Sequence, residues 1–173
     1  MKGALVTGSA ERAKVVMRRS TQITLALCLV FGTAIQARAD CQSVSGSMTE
    51  TIVPAPNDPN GRALGIVSGV LSGASTAVIT SPDGSTSFDV FVTNRGDLLQ
   101  GNGALTLTPV PGNSSEFTLN VILTITGGSG KYSGATGTLR YQGLAQFSSP
   151  TTGTFDVIYR GSVCGPNVKG HAD

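Results

Sequence analysis

The chain has no tryptophan and a single histidine, His171, in 173 residues. With one histidine and no second pair of cysteines, it lacks the ligand sets that hold zinc or another transition metal, and no metal site is expected. From residue 40 onward it carries eight aromatics, all Phe or Tyr, which argues against the exposed aromatic platforms that grip polysaccharides. Charged residues make up only 13% of the chain. Past residue 40 Lys and Glu are few, Gly, Ser and Thr abundant, and no stretch repeats with the 3.6-residue period of a helix. No Gly-x-Ser-x-Gly elbow sits in a strand-turn-helix context. The glycine-rich run from Gly127 to Gly130 does not open a helix, so its amides are not arranged as a phosphate cradle. Neither a catalytic residue nor a cofactor is therefore indicated by motif.

One apolar run stands out near the start. Met17-Arg18-Arg19 is basic, and Ile23 to Ile35 is mostly apolar around Leu25-Ala26-Leu27-Cys28-Leu29-Val30-Phe31. Ala37-Arg38-Ala39 then places small residues at the two positions a signal peptidase reads. That order predicts a secretory signal peptide over residues 1–39, cut before Asp40, with Met17 a candidate true start. The run is shorter than the ~20 residues that span a bilayer, and no later stretch qualifies, so no membrane span is expected in the mature chain. An uncleaved anchor is the alternative. Arg18-Arg19 is a weak twin-arginine match, and Asp40 spoils a lipoprotein box before Cys41, so the general export route is preferred. Residence is expected in the periplasm or outside the cell.

Removing the leader reverses the charge. The whole chain is +2, yet the 134 residues from Asp40 hold six basic and nine acidic side chains, about three net negative charges, with no basic cluster. Nucleic acid is therefore not an expected partner. A chain of this length forms one domain, 40–173, with one core. Its two cysteines, Cys41 and Cys164, lie near its ends. An even count in an exported chain reads as a disulfide, two free thiols being the alternative.

Period-two alternation replaces helical periodicity. Phe117, Leu119, Val121, Leu123 and Ile125 alternate with polar neighbours, as do Leu139, Tyr141, Gly143, Ala145 and Phe147, and Phe155, Val157 and Tyr159. Phe88, Val90 and Val92 are assigned as the apolar face of another strand, opposite Ser87, Asp89, Phe91 and Thr93. Such strands cover a core on one side. Turn chemistry at Ser81-Pro82-Asp83-Gly84, Asn94-Arg95-Gly96-Asp97, Pro109 to Asn113 and Ser148 to Gly153 separates them, and Pro54 to Gly61 reads as a long, flexible Pro-rich loop. Eight strands result, near 43–53, 62–71, 74–81, 86–94, 98–108, 116–126, 134–147 and 153–163. Eight hairpin-linked strands favour an all-β fold closed into an antiparallel barrel, which removes exposed edges, with a two-sheet sandwich as the alternative. Glycines inside strands, among them Gly65, Gly101, Gly103 and Gly143, fit the bends and close approaches of a small barrel.

The densest glycine segment runs from Ile125 to Gly137. Gly127, Gly128, Gly130 and Gly137, with Tyr132 between them, read as an obligatory tight strand connection, a structural element rather than a chemical one. Gly127-Gly128-Ser129-Gly130-Lys131-Tyr132, followed by Ala135 and Gly137, resembles the Gly-Gly-Thr-Gly-Lys-Phe/Tyr segment of plant dirigent proteins and allene-oxide-cyclase-like barrels. Gly61-Arg62-Ala63-Leu64-Gly65, Leu98 to Gly103 and Gly153 to Tyr159 resemble further strands of that group, so the similarity spans residues 61–163. Bacterial exported proteins of unknown role share the pattern. The resemblance implies an eight-stranded barrel, often trimeric, with a lumen for small apolar ligands. It also implies two styles of activity: ring closure of a fatty-acid epoxide, or stereochemical guidance of phenoxy-radical coupling.

The remaining candidates are few. Asp89, Asp97, Glu116 and Asp156 are dispersed and read as solvated, outward carboxylates, two of them meeting across a barrel being the alternative. His171 reads as a tail residue. Tyr141 and Tyr159 fall on the apolar faces of consecutive strands, where a buried hydroxyl needs a partner or a ligand. They are the candidate ligand-binding residues, core tyrosines bonded to backbone being the alternative. Arg140 and Arg160 fall on the opposite faces, at the surface or a subunit contact. Two function classes follow. One is an exported, non-catalytic barrel that binds a small apolar molecule or serves as a stable envelope component. The other is a lumenal isomerase or coupling guide.

Overall fold

The computed structural model describes residues 40–149 and 151–169. The expected signal peptide and His171 lie outside the described residues. Eight strands follow in chain order: β1 (Asp40–Ala55), β2 (Asp58–Val67), β3 (Gly73–Ile79), β4 (Thr86–Thr93), β5 (Leu98–Val110), β6 (Asn113–Gly128), β7 (Thr136–Ser149) and β8 (Thr152–Gly165). Each pairs antiparallel with its sequence neighbour, and β1 closes on β8 from Asp40–Gly165 to Ile52–Gly153, making a closed barrel. No sandwich forms. The single helical element described is a 3-10 turn, Gly130–Tyr132, between β6 and β7. No described helix is long and apolar enough to cross a membrane.

Period-two alternation sends Leu119, Val121, Leu123 and Ile125 of β6, Leu139, Tyr141 and Ala145 of β7, and Phe155, Val157 and Tyr159 of β8 into a common core. The phase of β4 is the reverse of the sequence expectation. Ser87, Asp89 and Phe91 point inward and are buried, while Phe88 and Val90 are half-buried on the outer face and Val92 is exposed. Register explains the reversal. β4 is aligned on β3 so that Ile79, Ala77 and Ser75 oppose Ser87, Asp89 and Phe91, and the inward face of β3 fixes that of β4. Alternation establishes a period, but when both faces carry apolar residues only the neighbouring strand decides which one is inside.

The segment 54–61 is a second difference. It is no long loop: strand pairing continues to Ala55–Asp58, leaving Pro56 and Asn57 as the turn. The register shifts between Val53 and Ala55, and neither Pro54 nor Pro59 holds a paired position. Prolines lack the amide that a ladder needs, so an irregular rim is where a strand tolerates them.

The two ends of the barrel differ. One is plugged. Leu71, Tyr132, Ala135 and Val168 are buried there, and Tyr159 Oη accepts from the Leu71 amide at 3.0 Å and donates to the Ser68 carbonyl at 2.8 Å. The glycine segment belongs to this end. The Lys131 amide donates to Asp97 Oδ1 at 3.0 Å, which draws the turn onto the β4–β5 connection. Cys41 and Cys164, opposed in the β1–β8 ladder, form a disulfide with S–S 2.06 Å at the same end. The other end, ringed by the hairpin turns at 56–57, 80–85 and 111–112 and by Thr151, is open.

Candidate functional site

Below the open end the lumen contains a compact set of polar side chains. Glu50 comes from β1, Ser75 from β3, Ser87 and Asp89 from β4, and Tyr141 from β7, all buried. Each stands on the inward phase of its strand, so closure of the barrel brings together residues up to 91 positions apart. Two glycines make the room. A Cβ at Gly65 would strike Glu50 Cγ and the backbone of Thr49, and one at Gly103 would strike Ser87 Oγ. These in-strand glycines are therefore tied to the polar cluster rather than to a turn.

Ser75 Oγ donates to Glu50 Oε1 at 2.6 Å. Three buried side-chain atoms among the described residues have no hydrogen-bonding protein partner: Thr76 Oγ1, Asp89 Oδ1 and Tyr141 Oη. The last two belong to side chains lining one small cavity, together with Glu50 and Ser87. Its volume is about 20 Å³, the room of one water molecule. Above it opens a larger space of about 320 Å³, walled by Ile52, Leu107, Phe147 and the two rim prolines Pro59 and Pro82, with Asp83 at its edge. Ile79, Leu105 and Phe155 line both spaces, so a polar floor underlies an apolar mouth.

Burial governs the titration of the floor. It raises Glu50 to about 7; the Ser75 hydrogen bond opposes the rise and the negative charge of Asp89 adds to it. Burial lifts Asp89 to about 6, while the hydroxyls of Ser87 and Tyr141 favour its ionised form. For Tyr141 that influence is one of proximity, since no hydrogen bond of ordinary geometry closes on its hydroxyl. Burial, and then the charges of Asp89 and Glu50, hold Tyr141 itself well above the usual tyrosine range. Among the described residues no basic side chain reaches the floor: Arg95, Arg140, Arg160 and Lys169 are exposed, Arg62 pairs with Asp58 at 2.7 Å, and Lys131 donates to Gln42 at the plugged end. No group of three or more potential metal ligands occurs among the described residues.

Tyr141 and Tyr159 are both inward, but only Tyr141 lines the cavity; the Tyr159 hydroxyl is engaged by backbone at the plugged end. Asp89, expected outside, is inside, for the register reason given above. The other acids remain away from the floor: Asp97 binds the Lys131 amide, Glu116 accepts from Asn113 Nδ2, and Asp156 accepts from Thr49 Oγ1 on the outer face. Glu50 was not singled out by the sequence, although it lies in phase with Met48 and Ile52, a carboxylate on an otherwise apolar face. Of the glycine segment, Gly127 and Gly128 end β6, Gly130 and Tyr132 bound the 3-10 turn, and Gly137 lies in β7.

No protein-family model matches the chain. No curated protein matches it either. Among solved structures, that of a pterocarpan synthase dirigent protein is similar at 14% identity, over 79% of this chain and 90% of that one, with a TM-score of 0.33. At this level of likeness no residue role passes from the dirigent protein to this chain.

Proposed function

We propose that this chain is an exported, non-catalytic barrel that binds a small, mainly apolar molecule through the open end of its lumen. The carrying observation is the pair of unpartnered buried atoms, Asp89 Oδ1 and Tyr141 Oη, at the base of an apolar mouth. Leaving buried polar atoms unbonded costs about 1–3 kcal/mol each, a cost that a ligand's polar end removes. An apolar pocket with a few convergent polar groups is the usual form of a small-molecule site. Tyr141 contributes to ligand contact and Tyr159 supports the wall beside it. Titration with the neutral dye Nile red tests the reading. Binding that Leu107→Trp, at the mouth, abolishes is expected, and no binding of any apolar probe overturns it.

Export is supported by the Cys41–Cys164 bond, since disulfides persist in oxidising compartments, and by the basic, apolar, Ala-x-Ala order before Asp40. Intact mass of the exported protein should begin at Asp40. Self-association, a trimer by the dirigent resemblance, draws support from the outer face of β2–β4. There Ile66, 77% exposed, Ala74 and Val92 form one row across three strands, with Leu64 beside it. Sedimentation of the mature chain tests this.

A second reading is favoured by one observation. Carboxyls at about 7 and about 6 can take up and release protons near neutral pH, as a lumenal isomerase or dirigent-like guide requires. Deuterium exchange from solvent into a bound ketone, abolished by Glu50→Gln, would support it over simple binding.

A further inference from the structure

We propose that the lumen takes an amphipathic amine, its protonated amino group on the floor between Glu50, Asp89 and Tyr141 and its apolar tail in the mouth. This rests on the lumen-binding reading above and assigns the chemistry of the ligand's polar end.

The floor presents the carboxylates of Glu50 and Asp89 and the phenol oxygen of Tyr141, three sets of acceptor lone pairs around one cavity. Its own donors are hydroxyls, and that of Ser75 is already committed to Glu50. An ammonium group offers three donors and no acceptor, which is the complement of this set. An alcohol offers one donor and leaves a carboxylate uncompensated.

Charge favours the same ligand. Two carboxyls face one cavity with no cation beside them, because every described basic side chain lies at the surface or the plugged end. A buried charge without a counter-charge is among the costliest features in a fold. Fatty acids and phosphate esters would add a third negative charge and are rejected. A cation supplies what the site lacks.

The shape of the lumen agrees. A floor of about 20 Å³ holds a group the size of water, which an ammonium is. The mouth above, about 320 Å³, accepts an alkyl or aryl tail against Ile79, Leu105 and Phe155. Asp83, exposed on the rim, is kept ionised by the Ser85 and Ser81 hydroxyls, so a cation approaching the mouth meets a like-minded field from rim to floor.

The titratable groups that face the floor are Glu50 on β1, Asp89 on β4, Tyr141 on β7 and, towards the plug, Tyr159 on β8. The inward positions of β2, β3, β5 and β6 add none. Ammonium binding therefore competes with protons on Glu50 and Asp89 alone, since both tyrosines titrate far higher. Affinity rises as pH passes upward through their range, and binding near pH 6.5 expels protons into the buffer.

Calorimetry on the mature chain with n-octylamine, n-octanol and octanoate decides the matter. At pH 8 octylamine should bind one-to-one and at least about tenfold more tightly than octanol, with octanoate not binding. The octylamine-to-octanol ratio should collapse towards unity at pH 5, and Asp89→Asn should reduce it at pH 8. Should that variant fail to fold, the pH series on the unaltered chain carries the test. Octanol binding as well as octylamine at pH 8, or a ratio indifferent to pH, overturns the amine assignment and leaves lumen binding standing. If octylamine, octanol and Nile red all fail to bind, the lumen reading itself is overturned.

Discussion

Tyr141 and Tyr159 face one another across the β7–β8 ladder, yet one hydroxyl is bonded twice and the other not at all. Tyr159 ties β8 to the Ser68–Leu71 loop. Tyr141 ends in the cavity, its ring edge-on to Phe91 at 6.3 Å between centroids.

The pair therefore separates by substitution. Tyr159→Phe leaves the Leu71 amide without its acceptor and should cost about 1–3 kcal/mol in urea unfolding. Tyr141→Phe removes a polar atom that has no partner and should be neutral or slightly stabilising. Equal losses from both would contradict the hydrogen-bond assignment.

Stability should fall as pH rises through the acid-to-neutral range. Glu50 and Asp89 have folded-state values raised to about 7 and about 6, above those of the unfolded chain. Between pH 4 and 7 the folded state therefore binds more protons than the unfolded state, and unfolding free energy declines with pH. The favourable protonated state is fully present below about pH 4 and is lost by about pH 7, a change on the order of 3 kcal/mol per group. Asp83, lowered to about 2, acts in the opposite sense and only below this window. Glu50→Gln should flatten the profile; a profile unchanged by it would show that Glu50 titrates alike in the folded and unfolded chain.

Gly128→Val and Gly130→Val should each lower the urea midpoint, by an amount equivalent to about 2–4 kcal/mol. The causes differ. Gly130 has φ +59°, and a side chain there would meet Asp97, whereas a Cβ at Gly128 would meet the Leu98 carbonyl. Gly130→Asn, which tolerates positive φ better, should be milder than Gly130→Val, and Gly128→Ala should still be harmful.

Reduction should weaken the barrel. The Cys41–Cys164 bond closes a separation of 123 residues, and its loss releases up to about 5 kcal/mol of unfolded-chain entropy. The thermal midpoint measured with and without reductant checks this. Alkylatable thiols in native exported protein would count against the bond.

Strand number, barrel closure and the inward faces of β6, β7 and β8 were legible in the chain because each of these strands has one plainly apolar face. β4 was not, because Phe88, Val90 and Val92 outweigh Ser87, Asp89 and Phe91 in apolar content while the register of β3 sets the opposite phase. That single inversion hid Asp89. Glu50 was hidden differently: one acid among Met48 and Ile52 has no local signature, and its meaning comes from Ser75 and Asp89, which only closure brings near. A floor built from four strands is long-range information, and pattern within a strand does not contain it.

The pairing of Cys41 with Cys164 sets both ends of the described barrel at the pole opposite the mouth. Anything grafted to either end, whether a fluorescent reporter, a bead or an anchoring domain, would leave the lumen's opening unobstructed. The described barrel is in this sense a cup with its handle at the base, and its orientation on a support can be chosen without altering one residue of its interior.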